Sequence, residues 1–345
     1  MAQAPLELSM TRPDPQERRS TGRERRPHGL LRDFQRLPQD LAWERAIYAL
    51  KRPLFTITPS LSSLLPAGPA KVVPLSPDPW PGDAGRGNEI VQGRLCFAGR
   101  SITEPHPLWR PPEANTAWLE SLHGFAWLRD LRAHGGDAAR RTARDLTSTW
   151  IIQNKNWSAP AWRPEVIGRR LVSWLGQYEF YAASAEATFC ETLHRSLRRQ
   201  AAHLAGVLPA GLAGRDAIAA IKGLLYASCC LPEGAKWRPR GLRLLDHELH
   251  RQILADGGQV ERSPGQHLAI LQDLLDIRAL LAAADCDAPA SLQAAISGMT
   301  PVLRLLQHGD GGLALFNHSD EGEALHIDLT LQRCANRQRP LMTAP

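Results

Sequence analysis

Cysteine is sparse in this sequence and poorly placed for metal or disulfide chemistry. The six cysteines (Cys96, Cys190, Cys229, Cys230, Cys286, Cys334) form no CxxC pair, which argues against a zinc ribbon. Their density is too low for a disulfide framework in a chain of 345 residues. No apolar run approaches the roughly 18 residues that a membrane span needs. The N-terminal stretch lacks the apolar segment of a secretory signal. The expected location is therefore cytoplasmic, with the cell envelope or periplasm as the alternative if the start site is misassigned. No GxSxG elbow and no glycine-rich phosphate loop after a strand is present, which removes serine-hydrolase and P-loop chemistry. His247-Glu248-Leu249-His250 spaces its histidines three apart, where the helical zinc motif needs four. Neither a metal nor a cofactor is expected.

Lysine is scarce, so most of the positive charge is arginine. The net charge is +6. Such a chain favours an anionic partner: an acidic polysaccharide, nucleic acid or lipid headgroups. Guanidinium groups fork onto carboxylates and sulfates better than ammonium groups do. No recognised nucleic-acid module accompanies the Arg-rich N-terminus, and the charge alone does not choose among these partners. Nothing in the sequence sets the oligomeric state.

The chain divides by composition. Residues 1–29 read as a disordered Arg-rich tail. Residues 30–114 hold an N-terminal helix, a proline-rich linker and a short strand or hairpin at 90–99. From Asn115 to about Gln307 the pattern is helical. Asn115 or Thr116 caps a helix expected over 117–134, which Gly135-Gly136 closes. Pro164 opens another helix in its first turn, and further helices are expected near 184–207, 216–230, 238–254, 263–285 and 289–307. Short connections make sequential helices antiparallel neighbours. No sharp sequence repeat is visible. Leu313–Asn317 reads as a strand, and residues 322–335 as one more short helix. The fold class expected is mainly α, an incomplete α/α toroid over 115–308, with a short β segment before it and the start of a β region over 309–345.

The densest chemistry lies in Asp256-Gly257-Gly258-Gln259-Val260-Glu261-Arg262-Ser263-Pro264-Gly265-Gln266-His267. A Gly-Gly turn flanked by charge runs into a capped helix, and loops on rigid helices are where binding groups collect. Eight of the ten tryptophans lie between Trp80 and Trp174. Most should fill helix interfaces. Trp157, in a polar loop, is the indole expected to be exposed and free to stack on a sugar ring.

Together with Ser121–Leu131, Arg169–Trp174 and His308–Asn317, that loop resembles the heparinase II/III family of polysaccharide lyases over roughly residues 85–345. The resemblance implies an α/α toroid followed by an antiparallel β-sandwich, of which this sequence is expected to hold the toroid and the beginning of the β region. It implies β-elimination on a uronic-acid polysaccharide: one group neutralises the C5 carboxylate, a base removes the C5 proton, and an acid assists the leaving 4-oxygen. The family's Asn slot falls at Arg215 and its Tyr slot at Gln266. An amide cannot serve as a proton-abstracting base, which leaves His267 as the candidate base and Arg215 as the carboxylate neutraliser. Asp216, Gln259, Glu261, Arg262 and Trp157 are the expected substrate contacts. The resemblance thus implies a lyase whose elimination machinery is incomplete in this chain. The alternatives are a non-catalytic toroid that binds acidic glycans in envelope polysaccharide metabolism, and a helical scaffold for proteins.

Overall fold

The computed structural model describes residues 39–57, 72–74 and 78–335. The Arg-rich tail and residues 58–71 and 75–77 of the proline-rich linker lie outside the described residues. Thirteen α-helices, a short 3-10 helix (Gly234–Trp237) and one two-stranded sheet occur among the described residues. Helix α1 (Gln39–Ile57) is followed by α2 (Ala84–Val91) and an antiparallel hairpin of β1 (Arg94–Phe97) and β2 (Arg100–Thr103), with Leu95 opposite Ile102. The remaining helices are α3 (Thr116–Gly124), α4 (Leu128–His134), α5 (Gly136–Gln153), α6 (Pro164–Gly176), α7 (Tyr178–Tyr181), α8 (Ala187–Val207), α9 (Gly214–Cys230), α10 (Arg238–Gln252), α11 (Pro264–Ala283), α12 (Ala290–Leu306) and α13 (Ala324–Ala335).

From α3 onward the helices form two layers. An inner series, α3, α6, α9, α11 and α13, packs each member on the next. An outer series, α5, α8, α10 and α12, backs it, with α8 against α6 and α9, α10 against α9, and α12 against α11. This is the layering of a helical toroid. No helix among the described residues is long and apolar enough to cross a membrane.

Local chemistry sets several helix starts. The Asn115 side chain accepts the Trp118 N–H at 2.9 Å, and the Ser263 hydroxyl accepts from Gln266 N–H ahead of Pro264. Each satisfies a backbone donor that helix geometry leaves free. The expected single helix over 117–134 is corrected: it breaks after Gly124. Phe125 adopts φ +61°, a conformation that ends a helix, and its ring is buried among Trp109, Trp127, Trp150 and Trp174. Trp127 Nε1 donates to the Leu122 carbonyl at 3.0 Å, which replaces a lost helical bond. The strand expected over Leu313–Asn317 is also corrected, since Leu313 makes only an isolated bridge to Gln307. The short helix expected over 322–335 is α13, which packs on α11 and α12.

Two outer-to-inner returns are built alike, 54 positions apart. Ile253 bridges Gln259 and Gln307 bridges Leu313. Between them Asp256 accepts the Gly258 N–H at 2.9 Å, and Asp310 accepts the Gly312 N–H at 3.0 Å. Gly257 and Gly311 take φ +79° and +91°, values that penalise any residue with a Cβ. The Asp-Gly-Gly triplet occurs at both places in the sequence. It is an internal repeat that helix periodicity does not reveal.

Inner helices α6 and α9 touch backbone to backbone. A Cβ on Gly168 would lie 2.3 Å from the Ala219 oxygen, and one on Gly223 would lie 2.4 Å from the Gly168 Cα. Above this crossing the core is aromatic and contains a buried charge. The Arg170 guanidinium donates to Gln200 Oε1 (2.7 Å), His123 O (2.8 Å) and Ala161 O (3.0 Å), and it lies 3.9 Å from the Trp150 ring centroid. His123 Nδ1 accepts from Trp150 Nε1 at 2.9 Å. Burial and then the Arg170 charge pull the His123 pKa down from 6.5 to about 3, and burial takes His203 down to about 4.

Gly168→Ala is expected to destabilise the fold by about 1–3 kcal/mol, because neither facing element is a side chain that can rotate away. Urea denaturation measures the loss, and an unchanged midpoint would refute the close approach. The histidines make a second prediction. Both are held neutral in the fold, so their contribution is present above pH 6.5 and is lost as pH falls toward about 3, because the unfolded chain binds those protons first. The loss for one such group is about 1.4 kcal/mol per pH unit. Thermal melts of the unaltered chain and of His123→Gln should differ in slope across this window, with the variant shallower.

Candidate functional site

A cavity of about 570 Å3 opens along the inner series. Its wall follows from helix periodicity, since positions i, i+4 and i+7 share a face. Helix α9 contributes Arg215, Ala219 and Lys222, and α11 contributes Ala269, Asp273 and Asp276. Helix α6 adds Arg169, Val172 and Ser173. Trp80, Arg129 and Asp130 border the cavity from the N-terminal side, and His326 of α13 borders it from the other.

Most of the charge around the cavity is internally neutralised. Arg169 pairs with Asp216. Arg129 Nε meets Asp78 Oδ2 at 2.7 Å. Arg86 lies 3.3 Å from Asp83 and 3.8 Å from Asp130. Glu120 is 2.5 Å from Arg163. Burial raises the Asp130 carboxyl pKa against the lowering effect of the Asp83 N–H bond. Among the described residues Arg215 makes no ion pair. It is exposed on the first turn of α9 and is the unpaired cation of the wall.

The floor is a buried ionic cluster. Lys222 Nζ donates to Asp273 Oδ1 at 2.8 Å and to Asp276 Oδ2 at 2.7 Å. Burial works against the ammonium, but the two carboxylates outweigh it and hold the Lys222 pKa above its ordinary value. Trp80 Nε1 donates to both oxygens of Asp276 at 3.1 and 3.0 Å, and Arg333 lies 3.5 Å from the same carboxylate and over the Trp80 ring. The segment carrying Trp80 is tied down by Arg132, which donates to the carbonyls of Asp78 and Trp80, both at 2.8 Å.

Of the residues singled out from the sequence, Arg215 lines the cavity, and Asp216, outside the lining, pairs with Arg169 of the wall. The placement of His267 is corrected. Its ring is buried, its Nε2 is 2.9 Å from the Met299 carbonyl on α12, and burial lowers its pKa. It faces the outer layer because it lies one residue past the cavity-facing stripe of α11. Gln266 falls on that stripe by helical position, at i−3 from Ala269, but is not part of the cavity lining. Gln259 is buried, and its Oε1 accepts the Glu261 N–H at 2.9 Å. Arg262 is held by Asp256 at 2.7 Å, and the Glu261 and Arg262 carbonyls accept from Asn317. Trp157 is also corrected: it is half-buried, lies beneath Arg52 at 4.7 Å and is not part of the cavity wall.

Sequence reasoning missed Lys222, Asp273, Asp276, Trp80 and His326. A signal existed for three of them. Lys222 interrupts the apolar run Ile218–Tyr226, and Asp273 and Asp276 interrupt Leu268–Leu281. Charges inside an otherwise buried helix must meet one another. No group of three or more His, Cys, Asp or Glu side chains suited to a metal occurs among the described residues.

Comparison with known proteins assigns this architecture. The model of the Heparinase II/III N-terminus family matches residues 111–334. FtsZ-localized protein C of Caulobacter vibrioides (strain NA1000 / CB15N) is 30% identical over 275 residues, covering 78% of this chain and 46% of that protein. Heparin-sulfate lyase of Bacteroides stercoris is 29% identical over 116 residues, covering 32% of this chain and 17% of that protein. The crystal structure of heparan sulfate lyase HepC from Pedobacter heparinus shares the fold with a TM-score of 0.54 at 19% identity, covering 80% of this chain and 44% of the other. The chain spans less than half the length of the curated relatives it matches. With its helical layers, its cavity and the match through 111–334 all in agreement, the chain belongs to the heparinase II/III N-terminus family.

Proposed function

We propose that this chain holds an acidic, uronate-bearing polysaccharide in the cavity of its helical toroid, with a substrate carboxylate on Arg215. One observation carries the reading: Arg215 is the cation of the wall that no carboxylate among the described residues neutralises. An arginine left unpaired at a cavity edge is set up for a bidentate carboxylate. The family context, with relatives named as heparin or heparan sulfate lyases, supports a polysaccharide as the bearer of that carboxylate.

In the lyase reading, Arg215 withdraws charge from the C5 carboxylate. The C5 proton becomes more acidic, and a base then takes it as the C4–O bond breaks. The second reading is binding without elimination, in envelope polysaccharide metabolism. The burial of His267 and the amide at Gln266 favour it, because neither offers a free basic nitrogen to the cavity. The two readings share the Arg215 contact and divide on the proton acceptor.

Titration calorimetry with an unsulfated oligosaccharide of alternating uronate and N-acetylhexosamine tests the shared step. Arg215→Gln is expected to weaken binding by about 10-fold or more, the loss typical of a hydrogen bond to a charged group. Equal affinity of variant and unaltered chain would remove Arg215 from the site. Ultraviolet absorbance of an unsaturated uronide in the same mixtures separates the two readings: its growth marks a lyase, and binding without it marks a holding module.

A further inference from the structure

The two carboxylates on the cavity floor are not equivalent. Both oxygens of Asp276 are engaged, by Trp80 Nε1 and by Lys222, with Arg333 close by. Asp276 is buried, and its role is fully structural. Asp273 gives only Oδ1 to Lys222. Among the described residues its Oδ2 accepts no hydrogen bond. Its side chain is 15% exposed, and it lines the cavity one helical turn before Asp276. The ammonium beside it carries three hydrogens, of which two are committed to the carboxylates. The floor therefore presents an acceptor oxygen next to an ammonium with one donor to spare, both fixed by burial and by ion pairing.

A carboxylate in that state repels an anion, and it accepts from a hydroxyl group. An ammonium–carboxylate pair held side by side matches the alternating donor and acceptor character of neighbouring sugar hydroxyls. Gln272, adjacent in the wall, commits its Nε2 to Thr330 at 3.1 Å, which leaves its carbonyl oxygen as a further acceptor. We infer that Asp273 and Lys222 form a hydroxyl-reading subsite on the cavity floor, distinct from Arg215, which takes a neutral face of the sugar next to the bound uronate. The inference rests on the proposal that the cavity holds an acidic polysaccharide. It adds a division of labour: charge is read at the rim by Arg215, two helical turns along the same stripe of α9 from the floor where hydroxyls are read.

The test uses two probes on the full chain: the unsulfated uronate oligosaccharide and the same oligosaccharide with its carboxylates reduced to alcohols. Asp273→Asn keeps an oxygen for Lys222 and removes the charged acceptor. It should weaken both probes by about 10-fold, the effect of one hydrogen bond to a charged group. Arg215→Gln should weaken only the acidic probe. Unchanged binding of both probes by Asp273→Asn overturns the subsite. Tighter binding of the acidic probe overturns it too, since that outcome makes Asp273 a mere repellent charge. If neither probe binds the unaltered chain, the polysaccharide reading falls and the subsite with it; if both bind and only Arg215→Gln has an effect, the subsite alone falls. Thermal melts verify that Asp273→Asn folds. Should it not fold, the unaltered chain carries the test with the reduced oligosaccharide and its O-methylated form, and equal affinities for these two overturn the proposal.

Discussion

Arg170 carries a charge into the middle of the helical stack with no carboxylate to meet it among the described residues. Three carbonyl oxygens and one indole face hold it instead. Those groups belong to α3, α5, α8 and the loop before α6, so a single side chain links both layers at one point. A buried guanidinium left without such partners costs several kcal/mol, and this makes the surrounding geometry mutually dependent. Gln200 must present its oxygen, His123 must stay neutral, and the helix must end near Gly124 so that the His123 carbonyl is free to turn inward. Burial pulls the Arg170 pKa well below the usual guanidinium value, yet five donors in a rigid fork suit this carbonyl cage as an ammonium would not.

The cavity inherits its shape from that constraint. With α3 and α6 locked at Arg170, and α6 and α9 in contact at Gly168 and Gly223, the inner stripes carrying Arg169, Arg215 and Lys222 have little freedom relative to one another. A site whose groups come from different helices needs such rigidity for its spacing to mean anything. The Trp80 segment closes the arrangement from outside the toroid, with Asp276 as its anchor.

The fold was legible where local chemistry decides it. Asn115, Pro164 and Ser263 announce helix starts, and apolar spacing gives the long helices within a few residues. The break at Phe125 was not legible, because it answers to a cluster of rings brought together by tertiary packing. Arg215 was reached through family resemblance and does line the cavity. His267 and Trp157 were misplaced for the same reason: one step along a helix, or one neighbour such as Arg52, decides between cavity and core. The Lys222–Asp273–Asp276 cluster joins residues 51 and 54 positions apart. No local pattern links them, although each stands out as a charge inside an apolar helix.

The paired Asp-Gly-Gly returns bear on how such a ring changes over time. A joint that fixes its own hydrogen bonds and needs only a short triplet can be copied along with the hairpin it serves. Duplication or loss of one hairpin then preserves the angle at which the following helix enters the ring. The circumference can be altered in whole modules, while the residues facing the hollow diverge independently.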